Sequence, residues 1–191
     1  SSDSGEIWFD GKQGAIRNPR DARTLGIAMI HQELNPIKDL TVAENMFVGR
    51  YPQVGCFVDW KKVYDRCRAL FQHWNVDFDP KMKVRFLSTA ETQMLEILKA
   101  ISYDAKLIIM DEPFVGLDPK SSHFLKTLMR EMCDNGGAIF FSTHVLEVAE
   151  KLCDKVAIIK SGKLIKSGTM DEVKGDDSLE DVFLELEEKD A

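Results

Sequence analysis

The sequence predicts an α/β protein in which a parallel sheet is covered by helices. Two observations carry this. The short apolar runs at 27–30, 107–110 and 138–141 read as buried strands, because strands of a covered parallel sheet lose the apolar–polar alternation of a half-solvated one. Between and around them lie stretches with helical apolar spacing and recognisable helix caps.

The 191 residues are enough for one domain, or one with a subdomain, and for a sizeable core. Hydrophobic content of 44% and charged content of 30% describe an ordinary globular chain. A net charge of −7 argues against a nucleic-acid binder, which presents a basic face. No apolar run approaches the roughly 18–20 residues needed to span a bilayer, and the N-terminus has no basic-then-apolar leader. Any membrane link is therefore expected to run through a partner. Cys56, Cys67, Cys133 and Cys153 are scattered without a C-x-x-C pair, which suits reduced thiols better than disulfides or zinc.

Taken in order, residues 1–5 carry no pattern and look like part of a loop, and 6–12 are strand-like and close on Asp10-Gly11. Asn18-Pro19 starts a short helix, cap then proline, which reaches Leu25 and stops at Gly26. The run 27–30 is a second strand and leads into His31-Gln32-Glu33. Thr41-Val42-Ala43-Glu44 is a capping box. Asp59 caps a longer helix whose Val63, Cys67, Leu70, Phe71 and Trp74 share one stripe, read as core packing rather than as a cofactor box. Asp77 to Pro80 reads as a turn. Ser88-Thr89-Ala90-Glu91 is another capping box, opening a helix with Met94, Leu95, Leu98 and Ile101 inward. A helix from about Pro119 carries Phe124, Leu125, Leu128, Met129 and Met132 and ends at Asn135-Gly136-Gly137. After the strand at 138–143 comes His144, and then a helix with Val145, Val148, Ala149 and Leu152. The runs 155–160 and 163–166 read as a hairpin about Ser161-Gly162, and the last of the tail helices is capped by Ser178.

Three strands thus end in polar residues: Gln32, then Asp111 and Glu112, then His144. Parallel strands gather their carboxyl ends at one edge, the usual ligand crevice of open α/β sheets. A glutamine, two acids and a histidine there suit a Mg²⁺-nucleotide site, one acid holding the metal's water shell and another polarising an attacking water. Alone, His144 reads as a structural histidine; its place relative to the acid pair favours the site.

The order Gln32, Leu87 to Glu91, Leu107 to Glu112, Gly116-Leu117-Asp118 and His144 resembles the nucleotide-binding domain of ATP-binding-cassette (ABC) transporters over nearly the whole chain. The resemblance implies a RecA-like P-loop NTPase core with a parallel sheet, incomplete at its N-terminus, plus an inserted α-helical subdomain. It implies ATP and Mg²⁺ as ligands and ATP hydrolysis coupled to solute transport, here carbohydrate import. Gln32 corresponds to the Q-loop glutamine near Mg²⁺, Asp111 to the Walker B acid on the metal, Glu112 to the general base and His144 to the switch histidine. Leu87, Ser88, Thr89, Ala90 and Glu91 correspond to the signature and Asp118 to the D-loop acid, all meeting nucleotide across a dimer. The implied partners are a second nucleotide-binding domain, in a homo- or heterodimer, and transmembrane permease subunits, with no nucleic acid. The implied location is cytoplasmic, peripheral at the inner face of the membrane. The same resemblance divides the chain into 1–32, the remainder of an N-terminal β subdomain and the Q-loop strand; 33–102, the helical subdomain; 103–166, the Walker B to switch-histidine half and the hairpin; and 167–191, a helical tail.

The signature also has a direct physical reading, since the amides of a helix N-terminus favour an anion. The family form is Leu-Ser-Gly-Gly-Gln; here Thr89 and Ala90 replace the glycines, and Glu91 brings a charge that opposes phosphate unless it turns back to cap its own helix. No G-x-x-x-x-G-K-[ST] phosphate loop occurs in these residues, so the polypeptide alone is expected not to hydrolyse ATP usefully. Up to about Pro113 the text resembles monosaccharide-importer ATPases. From Phe114 on it resembles exporter ATPases, which suggests a mosaic or a fragment. A rival reading is a non-catalytic partner or dimerisation subunit that lends its signature helix in trans. A DNA-repair or chromosome ATPase is disfavoured by the absence of sustained heptads and by the acidic balance.

Overall fold

Most helices begin where the sequence supplies a side-chain oxygen for their free amides, the one at Leu146 being an exception, and the strands of the parallel sheet fall on the apolar runs. The computed structural model describes residues 6–14, 16–30, 35–103 and 105–188, so the reading of 1–5 as a loop lies outside the described residues. In chain order the elements are β1 (Ile7–Phe9), β2 (Lys12–Gly14), α1 (Pro19–Thr24), β3 (Ile27–Ile30), α2 (Val42–Phe47), β4 (Gln53–Val54), β5 (Phe57–Val58) and α3 (Trp60–His73). A single 3₁₀ turn (Val84–Phe86) precedes α4 (Thr89–Ile101), β6 (Leu107–Asp111), α5 (Pro119–Asp134) and β7 (Ala138–Ser142). Then follow α6 (Leu146–Leu152), β8 (Lys155–Lys160), β9 (Lys163–Thr169), α7 (Met170–Lys174) and α8 (Leu179–Glu188). The chain forms two compact units, 1–142 and 143–191.

The first unit holds the parallel sheet, in the order β3-β6-β7. Ile30 pairs with Met110, and Met110 with Phe141, so all three carboxyl ends finish level. Gly26 sets this register: its carbonyl accepts from Lys106 N at 2.7 Å and from Leu107 N at 3.1 Å. Its φ of +83° and the 3.3 Å from a built Cβ to Lys106 N leave room only for glycine.

The expectation of strands buried on both faces needs correction. Ile30, Ile108 and Met110 share a buried face. On the opposite face Met29 is 58% and Phe140 59% exposed, and Leu107 and Ile109 are half-buried. An apolar run shows that a strand can be covered on both sides, not that both sides are covered. Within this unit α4 packs on β3 and α5 on β7.

Helices α2, α3 and α4 pack together around Val42, Met46, Val63, Cys67, Phe71, Leu95 and Leu98, all buried. The aromatic stripe of α3 is core, with Phe71 edge-on to Phe78 at 5.6 Å. On α4 the expected Met94 and Ile101 are only half-buried, while Ile97 and Ala100 are buried, because neighbours approach more than one side of this helix. The turn expected at Asp77 starts two residues later, where Met82 N donates to Asp79 O at 3.0 Å. Asn45 is the one buried polar side chain among the described residues; its Oδ1 accepts from Ile37 N at 2.9 Å, and its Nδ2 donates to Ile37 O and Thr41 O. Arg50 ties two helix ends together, donating to Met46 O at 2.9 Å and to Ser102 O at 2.8 Å, with its guanidinium 3.7 Å from the centre of the Tyr103 ring.

The second unit is built on the β8–β9 hairpin, whose Ser161 and Gly162 both take positive φ. Ala149, Ile158, Met170, Val173, Leu179 and Val182 form its core. Glu150 joins its helices by accepting from Lys174 Nζ at 2.7 Å and from Leu179 N at 3.1 Å.

Candidate functional site

Asp111 is the last residue of β6, the central strand, and its carboxylate is exposed at the sheet's carboxyl edge. It sits opposite Ser142 of β7, whose hydroxyl donates to Asp111 Oδ1. Glu112 follows with φ +45°, a left-handed conformation uncommon outside glycine, asparagine and aspartate. The surroundings hold it there: Glu112 N donates to Ser142 O at 3.1 Å, and Glu112 O accepts from Val115 N at 3.2 Å. Pro113 is buried, Phe114 meets Phe141 edge-on at 5.9 Å, and Gly116 supplies a positive φ at the end of the turn. A non-glycine residue kept in this region by several independent contacts is the kind of strain that clusters at functional sites.

The residues expected to form the signature, Leu87 to Glu91, lie at the start of α4. Ser88 is its N-cap: Ser88 Oγ accepts from Glu91 N at 3.2 Å and donates to Glu91 Oε2 at 2.7 Å. The same carboxylate accepts from Ser88 N at 2.8 Å. Glu91 thus folds back on its own helix start, and the serine's hydroxyl and amide are both engaged. Thr89 is exposed, and Leu87 and Ala90 are half-buried. Gln93, one turn into the same helix, donates from Nε2 to Pro113 O at 3.3 Å. That bond links the signature helix to the turn that holds Glu112.

Asp118 caps α5. Its Oδ1 accepts from Lys120 N and Ser121 N, and its Oδ2 from Ser121 Oγ at 2.6 Å. The Ser121 hydroxyl, helped by these amides, holds the carboxyl below its usual range. His144 is exposed and belongs to the second unit, two residues past the end of β7. Gln32 lies outside the described residues, two positions after β3 ends. The structure therefore brings together Asp111, Glu112 and, through Gln93, the signature helix. Ser142 and Gln93 were not picked out from the sequence; the register of β6 against β7 was the missing signal for the first, and the packing of α4 for the second.

Among the described residues no group of three or more His, Cys, Asp or Glu is gathered to hold a metal ion alone. Mg²⁺ does not need one, since it keeps several waters and is bound through one or two carboxylates plus phosphate oxygens. The exposed Asp111 carboxylate fits such a contact.

Comparison with known proteins decides the family. The sequence model of the ABC transporter family matches residues 1–115, more than half of the chain. The chain belongs to the ABC transporter family. MglA, the galactose/methyl galactoside import ATP-binding protein of Yersinia pestis bv. Antiqua (strain Antiqua), is 40% identical over 169 residues, which are 88% of this chain and 33% of that protein. MglA of Escherichia coli (strain K12) is 41% identical over 163 residues, 85% of this chain and 32% of that one. This ABC chain spans about a third of the length of the curated relatives it matches. A match of 169 residues cannot fit within the first 115, so likeness to an import ATP-binding protein continues past the turn that follows β6.

Solved structures agree on the fold. An ATP-binding cassette of an ABC transporter in its ADP conformation aligns at TM-score 0.76 and 21% identity, over 95% of this chain and 77% of that one. An ATP-binding subunit of an ABC transporter aligns at 0.71 and 27%, over 88% and 70%. A dimeric ATP-binding cassette in a post-hydrolysis state, bound to ADP and Pi, aligns at 0.71 and 19%, over 88% and 74%. The ABC chain thus has the RecA-like α/β core expected of it. Among the described residues no helix is long and apolar enough to cross a membrane.

Proposed function

We propose that this chain is part of the ATP-binding cassette of a carbohydrate importer and works peripherally at the inner face of the membrane. The observation that carries the reading is the Asp111–Glu112 pair at the carboxyl end of the central strand, with Glu112 held in a left-handed turn that Gln93 ties to the signature helix. Likeness to proteins named for galactose import supports the substrate class. In this reading Asp111 and Gln32 contribute to holding Mg²⁺, which when bound would neutralise developing charge on the phosphates. Glu112 polarises the attacking water, and His144 orients the γ-phosphate end. Leu87 to Glu91 and Asp118 face nucleotide held by a second such domain. The helical segment 33–102 carries the signature, and Gln32 lies near the contact to the permease.

A second reading is a non-catalytic subunit that serves dimerisation and lends its signature helix in trans. The Glu91 carboxylate on Ser88 weighs against it, because an arriving phosphate would have to displace that carboxylate. One experiment separates the two. Binding and hydrolysis of Mg-ATP are measured on the chain alone, on its Glu112→Gln variant, and on each mixed with an intact ATP-binding subunit. The polypeptide alone is expected to turn over no faster than Glu112→Gln; clear turnover above that control would falsify the expectation of inactivity. In the mixture, loss of the added activity with Glu112→Gln supports a catalytic role. Added activity that Glu112→Gln leaves intact but Ser88→Ala lowers supports the second reading.

A further inference from the structure

We propose that the β4–β5 hairpin is a membrane-contact site: its apolar tip enters the surface of an anionic lipid bilayer, and basic side chains at the start of α3 meet the headgroups. Lipid binding is an activity beyond the ATPase reading, and either can fail while the other stands. The hairpin is held by its own segment. Val54 pairs with Phe57, Gly55 turns the chain at φ +62°, and Asp59 N donates to Pro52 O at 2.8 Å across the base. Val54 is 66% and Phe57 75% exposed, and as a cross-strand pair they share one face. Cys56 beside them is exposed too. At the base Trp60 stands between two tyrosines, its ring 5.7 Å from that of Tyr51 and 6.2 Å from that of Tyr64. Rings with an apolar body and a polar edge suit the headgroup level of a bilayer.

The charge names the occupant. The whole chain carries −7, yet α3 opens with Lys61 and Lys62 and adds Arg66 a turn later, all exposed. Together with Asp59 and Asp65 they line one shallow depression. Both acids are engaged within the chain: Asp59 Oδ1 accepts from Lys62 N at 3.0 Å, and Asp65 faces Arg68 at 3.3 Å. No ion pair among the described residues engages Lys61, Lys62 or Arg66. Lys81 adds a further cation, its Nζ 5.5 Å from the centre of the Tyr64 ring. An apolar tip with an aromatic base and adjacent cations matches an interface that takes up apolar groups and carries negative charge. A protein groove would take the tip without calling for the cations, and a second copy would set the cations against one another. The contact is small, so binding is weak and falls with salt.

Binding of the 191-residue polypeptide, without nucleotide, is followed by co-sedimentation with vesicles of phosphatidylcholine alone or with phosphatidylglycerol added, at low and high salt. The anionic vesicles should bind it at low salt and the neutral ones should not. In a Trp8→Phe background Trp60 is the one exposed tryptophan, since Trp74 is buried, and its emission should shift to the blue with anionic vesicles. Phe57→Asp should weaken binding at least about tenfold. Lys61→Gln with Lys62→Gln, which leaves the hairpin unaltered, should weaken it about thirtyfold. Phe86→Asp, at a position 70% exposed but outside the hairpin, should bind as the parent does. Failure to bind anionic vesicles at low salt overturns the proposal, as does equal binding to neutral ones. So does indifference to Phe57→Asp or to the double lysine variant, or an equal loss with Phe86→Asp. Self-association without lipid that Phe57→Asp abolishes would also overturn it, assigning the tip to a second copy.

Discussion

The left-handed backbone at Glu112 is a testable store of strain. A non-glycine residue in this region costs roughly 1–2 kcal/mol. Glycine removes that cost but gives back about 0.5–1 kcal/mol through its greater freedom in the unfolded chain. Comparing Glu112→Gly with Glu112→Gln cancels the loss of the carboxylate, which both share, and leaves the glycine variant about 0.5–1 kcal/mol more stable. Asparagine tolerates the same region, so Glu112→Asn should fall between them. The assay is urea unfolding followed by tryptophan fluorescence, which reports on the first unit because Trp8, Trp60 and Trp74 all lie in it. With a slope of about 2 kcal/mol per molar urea, the midpoints of the glycine and glutamine variants should differ by about 0.25–0.5 M. A glycine variant no more stable than the glutamine variant would show that the turn at 112–116 relaxes without strain. The inference from strain to function would then fail with it.

Three further outcomes follow from the structure. Asn45→Ala should cost about 2 kcal/mol in the same assay, because Ile37 O keeps Leu40 N and Thr41 O keeps Asn45 N, leaving the Ile37 amide as the group that loses its partner; a cost under about 0.5 kcal/mol would mean that water replaces the side chain. In the second unit, the Lys174 ammonium and the Leu179 amide hold Glu150 below its ordinary 4.5, so its contribution is present above that value and is lost as pH falls through the lower folded value. The protection of the Leu179 amide, the intrinsic exchange rate at each pH divided by the observed one, should therefore fall below pH 4.5, and in Glu150→Gln it should already be low at neutral pH and flat across the range; parallel protection profiles for the two proteins would refute the link. Burial pushes the Cys67 thiol up to about 12, whereas Cys56 is exposed, so iodoacetamide at neutral pH should label Cys56 and leave Cys67 untouched until the first unit unfolds.

What the sequence made legible was whatever is local. Each capping box is there as read, at Thr41–Glu44 and Ser88–Glu91, because a cap needs only four consecutive residues and one short side chain. Asp111 and Glu112 were found because a strand end is local too. The open face behind Met29 and Phe140 was not legible, since apolar runs record hydrophobicity and not what lies against it. Nor was the turn at Glu112, whose left-handed φ depends on Ser142 thirty residues away in sequence, on a neighbouring strand. Asp118 was read for nucleotide contact, yet here its carboxylate is occupied in starting α5, a use that the Asp118-Pro119 step signals by itself.

The bond from Gln93 to Pro113 has a thermodynamic corollary. Whatever grips the N-terminal end of α4 more tightly in one arrangement of the Glu112 turn must, by reciprocity, bias that turn to the same degree. A single hydrogen bond contributes about 1 kcal/mol net, so this wire alone transmits at most about a fivefold shift in either direction. The signature helix and the acid pair are in that sense one weakly geared element, in which occupancy at one end is felt at the other as a change in population rather than as a switch.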